Sequence, residues 1–481
     1  MFKSTLKLIV RKTRQDLLKG KASRIILATV FLFCTASIIL AFAKYRDHIS
    51  QIQEHRKEVR ENWEHRPDKH PHRMAHYGYL VFRSAYPLSI FDSGLDDFLG
   101  NVIFLEAHKQ NTANISEAGS SGILVRFGSF NSAFILQTLV PLIIIFFGYA
   151  LVSQERENAT LKILNLQGAS ARDILWGKVL GLWQFSLCFL IPLIPVAYIF
   201  AVLAEPSMWV DILVRVIMVL VSYTMYYFFI ATITVIISSF SKTSSLSLVS
   251  SIGCWLLLVV FLPKTVQFAA QNIFPTPSRI AFETTLEEEI IRSGDSHNPD
   301  DPHFKKIKDS LLKRYHVDET AKLPFNYSGF IMKEGEKMSS QIYIRHQKEL
   351  QGQYINQLRF SELFGFVDPL LAVKNYSMTA AGTDFDTYQR FQGQAEQYRY
   401  KMAQHLNDLQ IENISNIKPT SGQPAAVVDS DHWKEFADFE YRFSNVSETI
   451  KEQIIPFGIL IFWLIACTCA IEIRSRNLKF I

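Results

Sequence analysis

Histidine is the residue type in this chain with the clearest capacity for chemistry. His55, His65, His70, His72 and His76 crowd one polar stretch, and His108 follows further on. His70-Pro71-His72 sets two imidazoles close together, and imidazole suits copper or zinc. A metal site also needs defined ligands and an outer layer of hydrogen bonds that orients them. Spacing alone supplies neither. The histidines are therefore read as solvated or proton-sensitive side chains on a charged helix and loop, with no metal held. His76 and His108 are read as structural hydrogen-bonders. Nucleotide chemistry finds no motif: Gly20-Lys21 and Gly177-Lys178 lack the upstream glycine and the following Ser or Thr of a GxxxxGK[ST] loop. HExxH, GxSxG and CxxC are also absent. The chain is not expected to be an enzyme or to carry a cofactor of its own.

The elements that position these residues are set by a hydrophobic pattern. The 481 residues are 48% hydrophobic and include 37 Phe and 18 Tyr, which excludes a disordered chain. The apolar residues gather in six blocks, 25–43, 134–153, 179–204, 212–239, 246–268 and 454–471. Each approaches or exceeds the roughly 20 residues that cross a bilayer core. Arg215, near one boundary, is expected to snorkel towards water. With almost no other charge inside the blocks, an ion-coupled transporter or a proton pump is disfavoured. All five cysteines, Cys34, Cys188, Cys254, Cys467 and Cys469, lie in the blocks, so the polar segments are not stapled by disulfides.

Basic residues orient the spans. The segment 1–24 carries Lys7, Arg11, Lys12, Arg14, Lys19, Lys21 and Arg24 against Asp16. The loop 154–178 carries Arg156, Lys162, Arg172 and Lys178, the next loop Lys242, and the C-terminus Arg474, Arg476 and Lys479. With six spans all four segments share one side, the cytoplasm. Two long insertions, 44–133 and 269–453, then face outward and are read as mainly helical. The expected fold is an all-α membrane protein of six transmembrane helices with two mainly helical extracytoplasmic insertions. Phe2, Leu6, Ile9, Val10 and Leu17 recur at helical spacing, which predicts an amphipathic helix in the lipid interface over 1–24. A net charge of +5 is too weak to argue for nucleic acid.

The loop 154–178 is the most informative segment. It reads Glu155-Arg156-Glu157, then Thr160-Leu161-Lys162-Ile163-Leu164, and ends Gly177-Lys178. Asn158 or Thr160 is placed to cap one helix and Ser170 the next, with Asp173 in its first turn. A rigid, charged two-helix loop at a membrane face suits docking of a partner.

The run Glu155-Arg156-Glu157…Thr160-Leu161…Gly177-Lys178 resembles the coupling-helix signature of type-2 ABC transporter permeases, where glycine usually stands in place of Ala159. Further motifs resemble a subfamily with a domain of unknown function between its spans. In the first insertion these are His76-Tyr77-Gly78-Tyr79, Pro87-Leu88, Asp92-Ser93-Gly94 and Leu105-Glu106-Ala107-His108. Phe127-Gly128 and Gln137-Thr138-Leu139 mark the approach to span two. Asp368-Pro369, Ser377-Met378, Ala381-Gly382-Thr383-Asp384 and Ala395-Glu396-Gln397-Tyr398-Arg399 mark the second insertion.

The resemblance implies a permease subunit in a bacterial inner membrane. Its partners would be a dimer of ABC-type ATPase subunits, which carry the ATP and Mg, and a second permease, identical or a related paralogue. Glu155, Arg156, Glu157, Thr160, Leu161, Leu164, Gly177 and Lys178 would form the ATPase-coupling element, with Leu161 and Leu164 as its apolar anchor. Export of a substrate is the first expectation. Two alternatives are mechanotransmission to an extracytoplasmic partner, with nothing crossing the membrane, and a membrane enzyme or metal-handling protein using the histidines. The topology has a direct check. A cysteine at Ser296 should react with a membrane-impermeant reagent from the outside; labelling from the cytoplasm alone contradicts the orientation.

Overall fold

The computed structural model of the protein describes residues 2–112, 131–298, 300–417, 426–478 and 480. The motif Phe127-Gly128 and the tail residue Lys479 lie outside the described residues. Helices dominate, and six are long and apolar enough to cross a membrane: Lys21–Glu64, Ser132–Glu157, Ala171–Ala204, Pro206–Phe240, Ser244–Ile273 and Ile454–Arg476. The helix Phe2–Lys19, the C-terminal end of span six and the loops after spans two and four lie at one face of the bundle, here the terminal face. The insertions occupy the other.

In chain order, α1 (Phe2–Lys19) leads through Gly20 into α2 (Lys21–Glu64). Its 44 residues supply span one and continue into the first insertion as one helix, about 66 Å at 1.5 Å per residue. The first insertion adds α3 (Pro71–Ala75) and the strands β1 (Tyr79–Phe82) and β2 (Val102–Leu105). These pair antiparallel, Tyr79 opposite Leu105, in the only sheet among the described residues. Sequence periodicity missed it because each strand is four residues long.

Span two holds a π-helical turn, Ile135–Leu139, ahead of α4 (Val140–Gly148). Such a turn leaves carbonyls poorly paired, which is costly in an apolar bundle. Tyr227 donates to the Leu136 carbonyl at 3.0 Å, Tyr226 to that of Gln137 at 3.2 Å, and Trp255 to that of Thr138 at 3.1 Å. The loop that follows contains α5 (Ser153–Glu157) and α6 (Thr160–Leu166). Span three is α7 (Ala171–Leu190) and α8 (Leu193–Ala204), interrupted at Ile191-Pro192, where proline removes a backbone donor. Span four is α9 (Trp209–Phe240), and span five is α10 (Ser244–Leu256) continuing through a π turn into α11 (Leu262–Ile273).

The second insertion contains α12 (Arg279–Ser293), α13 (Pro302–Tyr315), α14 (Tyr327–Leu363), α15 (Pro369–Ala381), α16 (Phe385–Asn413) and a short α17 (Val446–Glu452). Span six is α18 (Ile454–Arg476). The insertions do not stay outside the bundle. Leu88, Ile90 and Phe91 of the first, and Leu370, Ala372, Val373, Ala380 and Ala381 of the second, belong to the same buried core as the spans. Trp463 of span six donates to the Gly365 carbonyl at 2.8 Å, so the approach to α15 packs beside that span. A second core around Met74, Phe391 and Trp433 holds the insertions to each other.

One side chain ties all this together. Arg215 of α9 does not snorkel: it is fully buried. Its Nε donates to Asp211 at 2.7 Å and its Nη2 to the Ser444 carbonyl at 2.7 Å. Its Nη1 reaches the Thr379 and Ala380 carbonyls at the C-terminal end of α15, at 3.4 and 3.3 Å. The guanidinium lies over the Tyr86 ring, 4.4 Å from its centroid, and the Tyr86 hydroxyl donates to Asp211. Span four is thereby bonded to both insertions. Arg215→Ala is expected to destabilise the protein by about 3–5 kcal/mol, because it removes the cation that Asp211 pairs with and the donors that reach three carbonyls. Arg215→Lys should recover only part of the loss, since an ammonium cannot reproduce the fork. Thermal unfolding in detergent measures both; a wild-type melting temperature for Arg215→Ala contradicts the assignment.

Candidate functional site

The loop between spans two and three is shaped by two left-handed residues. After α4 the chain breaks at Tyr149 and turns into α5. Ser238 of α9 receives the Val152 and Ser153 N–H groups at 3.1 and 3.0 Å and donates to the Tyr149 carbonyl at 2.6 Å, so the break is satisfied by span four. Ala159, at φ +60, separates α5 from α6. Gly168, at φ +91, ends α6, and Ser170 caps α7 by accepting the Asp173 N–H at 3.1 Å, as its position in the sequence suggests. Asn158 and Thr160 do not cap: α6 starts without a side-chain cap, and Thr160 Oγ1 donates to the Glu155 carbonyl at 3.1 Å.

The charged signature residues turn inward. Arg156 donates to the carbonyls of Ser241 at 2.5 Å and Ser239 at 2.8 Å, at the C-terminal end of α9. Arg474 of α18 joins it, with Nη2 on the Ser239 carbonyl at 2.5 Å. Glu157 accepts the Ser244 N–H at 3.0 Å and its hydroxyl at 2.5 Å, at the N-terminal end of α10. A cation thus meets a helix C-terminus and an anion the next N-terminus, each in the sense the helix dipole favours. Glu155 pairs with Lys178 of α7 at 2.5 Å. Arg172 and Trp176 both donate to Glu472 of span six, at 2.8 and 2.9 Å.

Gly177 has a different task from the one expected. A Cβ there would fall 2.4 Å from Ile9 Cγ2, and one at Gly181 would fall 2.6 Å from Thr13 Cβ. The two glycines let α1 lie against α7, as small residues do between membrane helices. So α1 is seated on span three as well as amphipathic. Leu161 is also corrected. It is 1% exposed, inside the core of its own chain, and Leu164 packs against that core. Leu161 is therefore closed to a partner, and Leu164 is open to one only in part. Ile163, 50% exposed, and Leu166, 77% exposed, are the apolar side chains that α6 presents. Helical spacing around Leu161 was the available signal, but it could not say which stripe faces the spans.

On the insertion side, motifs far apart in sequence meet. Ser377 donates to the buried Asp92 at 2.5 Å, and Leu95 N–H donates to the Thr383 carbonyl at 2.8 Å. Gly94, at φ +46, sits where a Cβ would strike Thr383. Arg399 pairs with Glu336 at 2.7 Å, and Glu336 with His108 Nδ1 at 3.2 Å. Burial would raise the Glu336 carboxyl, but the His108 hydrogen bond and the Arg399 charge prevail and hold it at about 2.

The histidine stretch divides. His55 stacks on Phe82, His65 bonds the Glu61 carbonyl, and His70 caps α3. His72 and His76 instead gather with His108 and with His297, which comes from the second insertion between α12 and α13. Burial, then the neighbouring imidazoles, push His72 down to about 4. Sequence reading missed His297 because nothing in its own neighbourhood marks it. A cavity of about 930 Å³ lies between α2 and the first insertion, with Leu40, Ile52 and Leu80 on its apolar side and Lys44, Arg83 and Asp97 on its polar side.

Comparison with known proteins gives two matches. The family described as "ABC-2 family transporter protein" matches residues 9–291. The family described as "Domain of unknown function (DUF3526)" matches residues 279–442. No curated protein matches the chain.

The backbone at Ala159 yields a stability prediction. A left-handed conformation costs an L residue about 1–2 kcal/mol, and glycine's greater freedom when unfolded returns about 0.4–1 kcal/mol. Ala159→Gly should therefore stabilise the loop by about 0.5–1 kcal/mol. The check is hydrogen exchange at the α6 amides; faster exchange in the variant contradicts it.

Proposed function

The chain belongs to the ABC-2 family of transporter membrane subunits, and from that premise we propose that it is the permease of an ATP-driven exporter whose loop 154–178 receives the force of a separate ATPase. The terminal face is then cytoplasmic, the membrane is the bacterial inner membrane, and ATP and magnesium bind on the partner. The observation that carries this reading is the bracing of the loop. Glu155 grips span three through Lys178, Arg156 span four and Glu157 span five. A push on α6 would reach several spans at once and would not be absorbed by bending.

The contact surface is Ile163 and Leu166, exposed on that braced helix. Burying one such side chain contributes about 1.5–3 kcal/mol. The cavity beside α2, apolar on one side and charged on the other, suits a cargo of mixed polarity. Mechanotransmission has its own support: Arg215 bonds the second insertion to span four and Asp211 receives Tyr86 of the first, so the insertions would follow the span. Movement of a labelled cargo into reconstituted vesicles separates the two readings.

Ile163→Asp with Leu166→Asp should abolish co-purification of the ATPase and its stimulation by the permease. The permease itself should insert and melt as wild type, because neither side chain belongs to the core. Leu161→Asp, by contrast, should destabilise the permease directly. Wild-type ATPase capture by the double variant would reject the loop as the coupling element.

A further inference from the structure

Three imidazoles from two insertions, those of His72, His108 and His297, converge, and a fourth, His76, lies against two of them. Ring centroids are 4.7 Å apart for His72 and His76, 5.5 Å for His72 and His108, 5.4 Å for His76 and His108, and 5.0 Å for His108 and His297. Ring nitrogens of His72, His108 and His297 all lie within 4.8 Å of one another, and His76 Nε2 is 3.2 Å from His72 Nε2. Tetrahedral zinc, with bonds of about 2.0–2.1 Å, places its nitrogen ligands about 3.3 Å apart. Small side-chain rotations close that gap.

The surroundings match a coordination site in three further respects. Two of the four rings have a carboxylate against Nδ1: Glu336 at 3.2 Å from His108 and Asp295 at 3.5 Å from His297. That leaves Nε2 of each ring for a metal, and a carboxylate behind a ligating histidine both orients it and raises its basicity. Glu336 is itself fully buried and locked by Arg399. His108 Nε2 is shielded from solvent, yet it has no hydrogen-bond partner among the described residues. His108 also holds φ +62, a conformation that costs a residue other than glycine energy and persists where the surroundings over-determine it.

We propose that His72, His108 and His297, with His76 as a fourth ligand, bind one divalent transition-metal ion of the zinc or copper(II) class and so clamp the second insertion to the first. Imidazole donors and nitrogen-only ligation select these metals over magnesium or calcium. The clamp joins α3 and the turn after β2 to the segment between α12 and α13. It stands independently of the ATPase reading.

The test uses the full-length, untagged chain purified in detergent. The protein is stripped with chelator, loaded separately with zinc chloride and copper(II) chloride, passed through gel filtration and analysed for metal. Stoichiometric retention of either ion is expected, together with a rise in melting temperature on loading. His297→Gln, at an exposed position, should keep the apo melting temperature and weaken retention about 10-fold or more. Glu336→Gln should weaken it about 10–100-fold through the orientation of His108. His55→Ala with His65→Ala should retain metal as wild type. Failure of the wild-type chain to retain either metal overturns the proposal, and so does retention by His297→Gln equal to wild type.

Discussion

A buried guanidinium can persist only where its donors and charge are met, and Arg215 meets that condition with groups from three distant parts of the chain. Asp211 neutralises it from one turn away. Tyr86 covers it from the first insertion, and the carbonyls of Thr379, Ala380 and Ser444 receive it from the second. The carbonyls at the end of α15 carry the negative end of a helix dipole, which is what a cation in an apolar setting requires. Because these partners belong to different segments, neither insertion can detach without stranding the charge. The inserted part of the molecule is therefore continuous with span four.

The terminal face is organised by the same electrostatics in a weaker form. Span four ends and span five begins within a few residues, which presents a helix C-terminus beside an N-terminus. Arg156 and Arg474 meet the first, and Glu157 meets the second. The charges of the Glu155-Arg156-Glu157 run thus serve the loop's own rigidity. The exposed side of α6 carries Ile163 and Leu166 beside Thr160, Lys162 and Asn165. In the coupling proposed above, the charged frame would resist bending and the small apolar surface would supply the association energy.

Much of the architecture was legible in the sequence because a bilayer imposes a length and a polarity on each helix. The six spans, the Ser170 cap and the helical character of the insertions all follow from local patterns. So does the family resemblance: Thr160-Leu161, Asp92-Ser93-Gly94 and Ala381-Gly382-Thr383-Asp384 each stand in an unbroken run. Ala159 stands in a left-handed backbone, a conformation that glycine adopts without strain.

Side-chain partnership across the chain was not legible. Arg215 read alone is a snorkelling cation near a span end; only folding brings Tyr86 and Ser444 to it. Leu161 and Ile163 are both apolar residues on a short helix, and only the packing of α6 against the spans decides which is buried. His72 and His297 lie in different insertions, and a histidine's neighbours in sequence say little about its neighbours in space. The sequence by itself determined where the chain crosses the membrane and which segments form helices, because those depend on hydrophobicity and hydrogen bonding within one stretch. Tertiary structure decided which charges are paired, which apolar face is left for a partner and which imidazoles converge, because each of these is a contact between segments that no local pattern encodes.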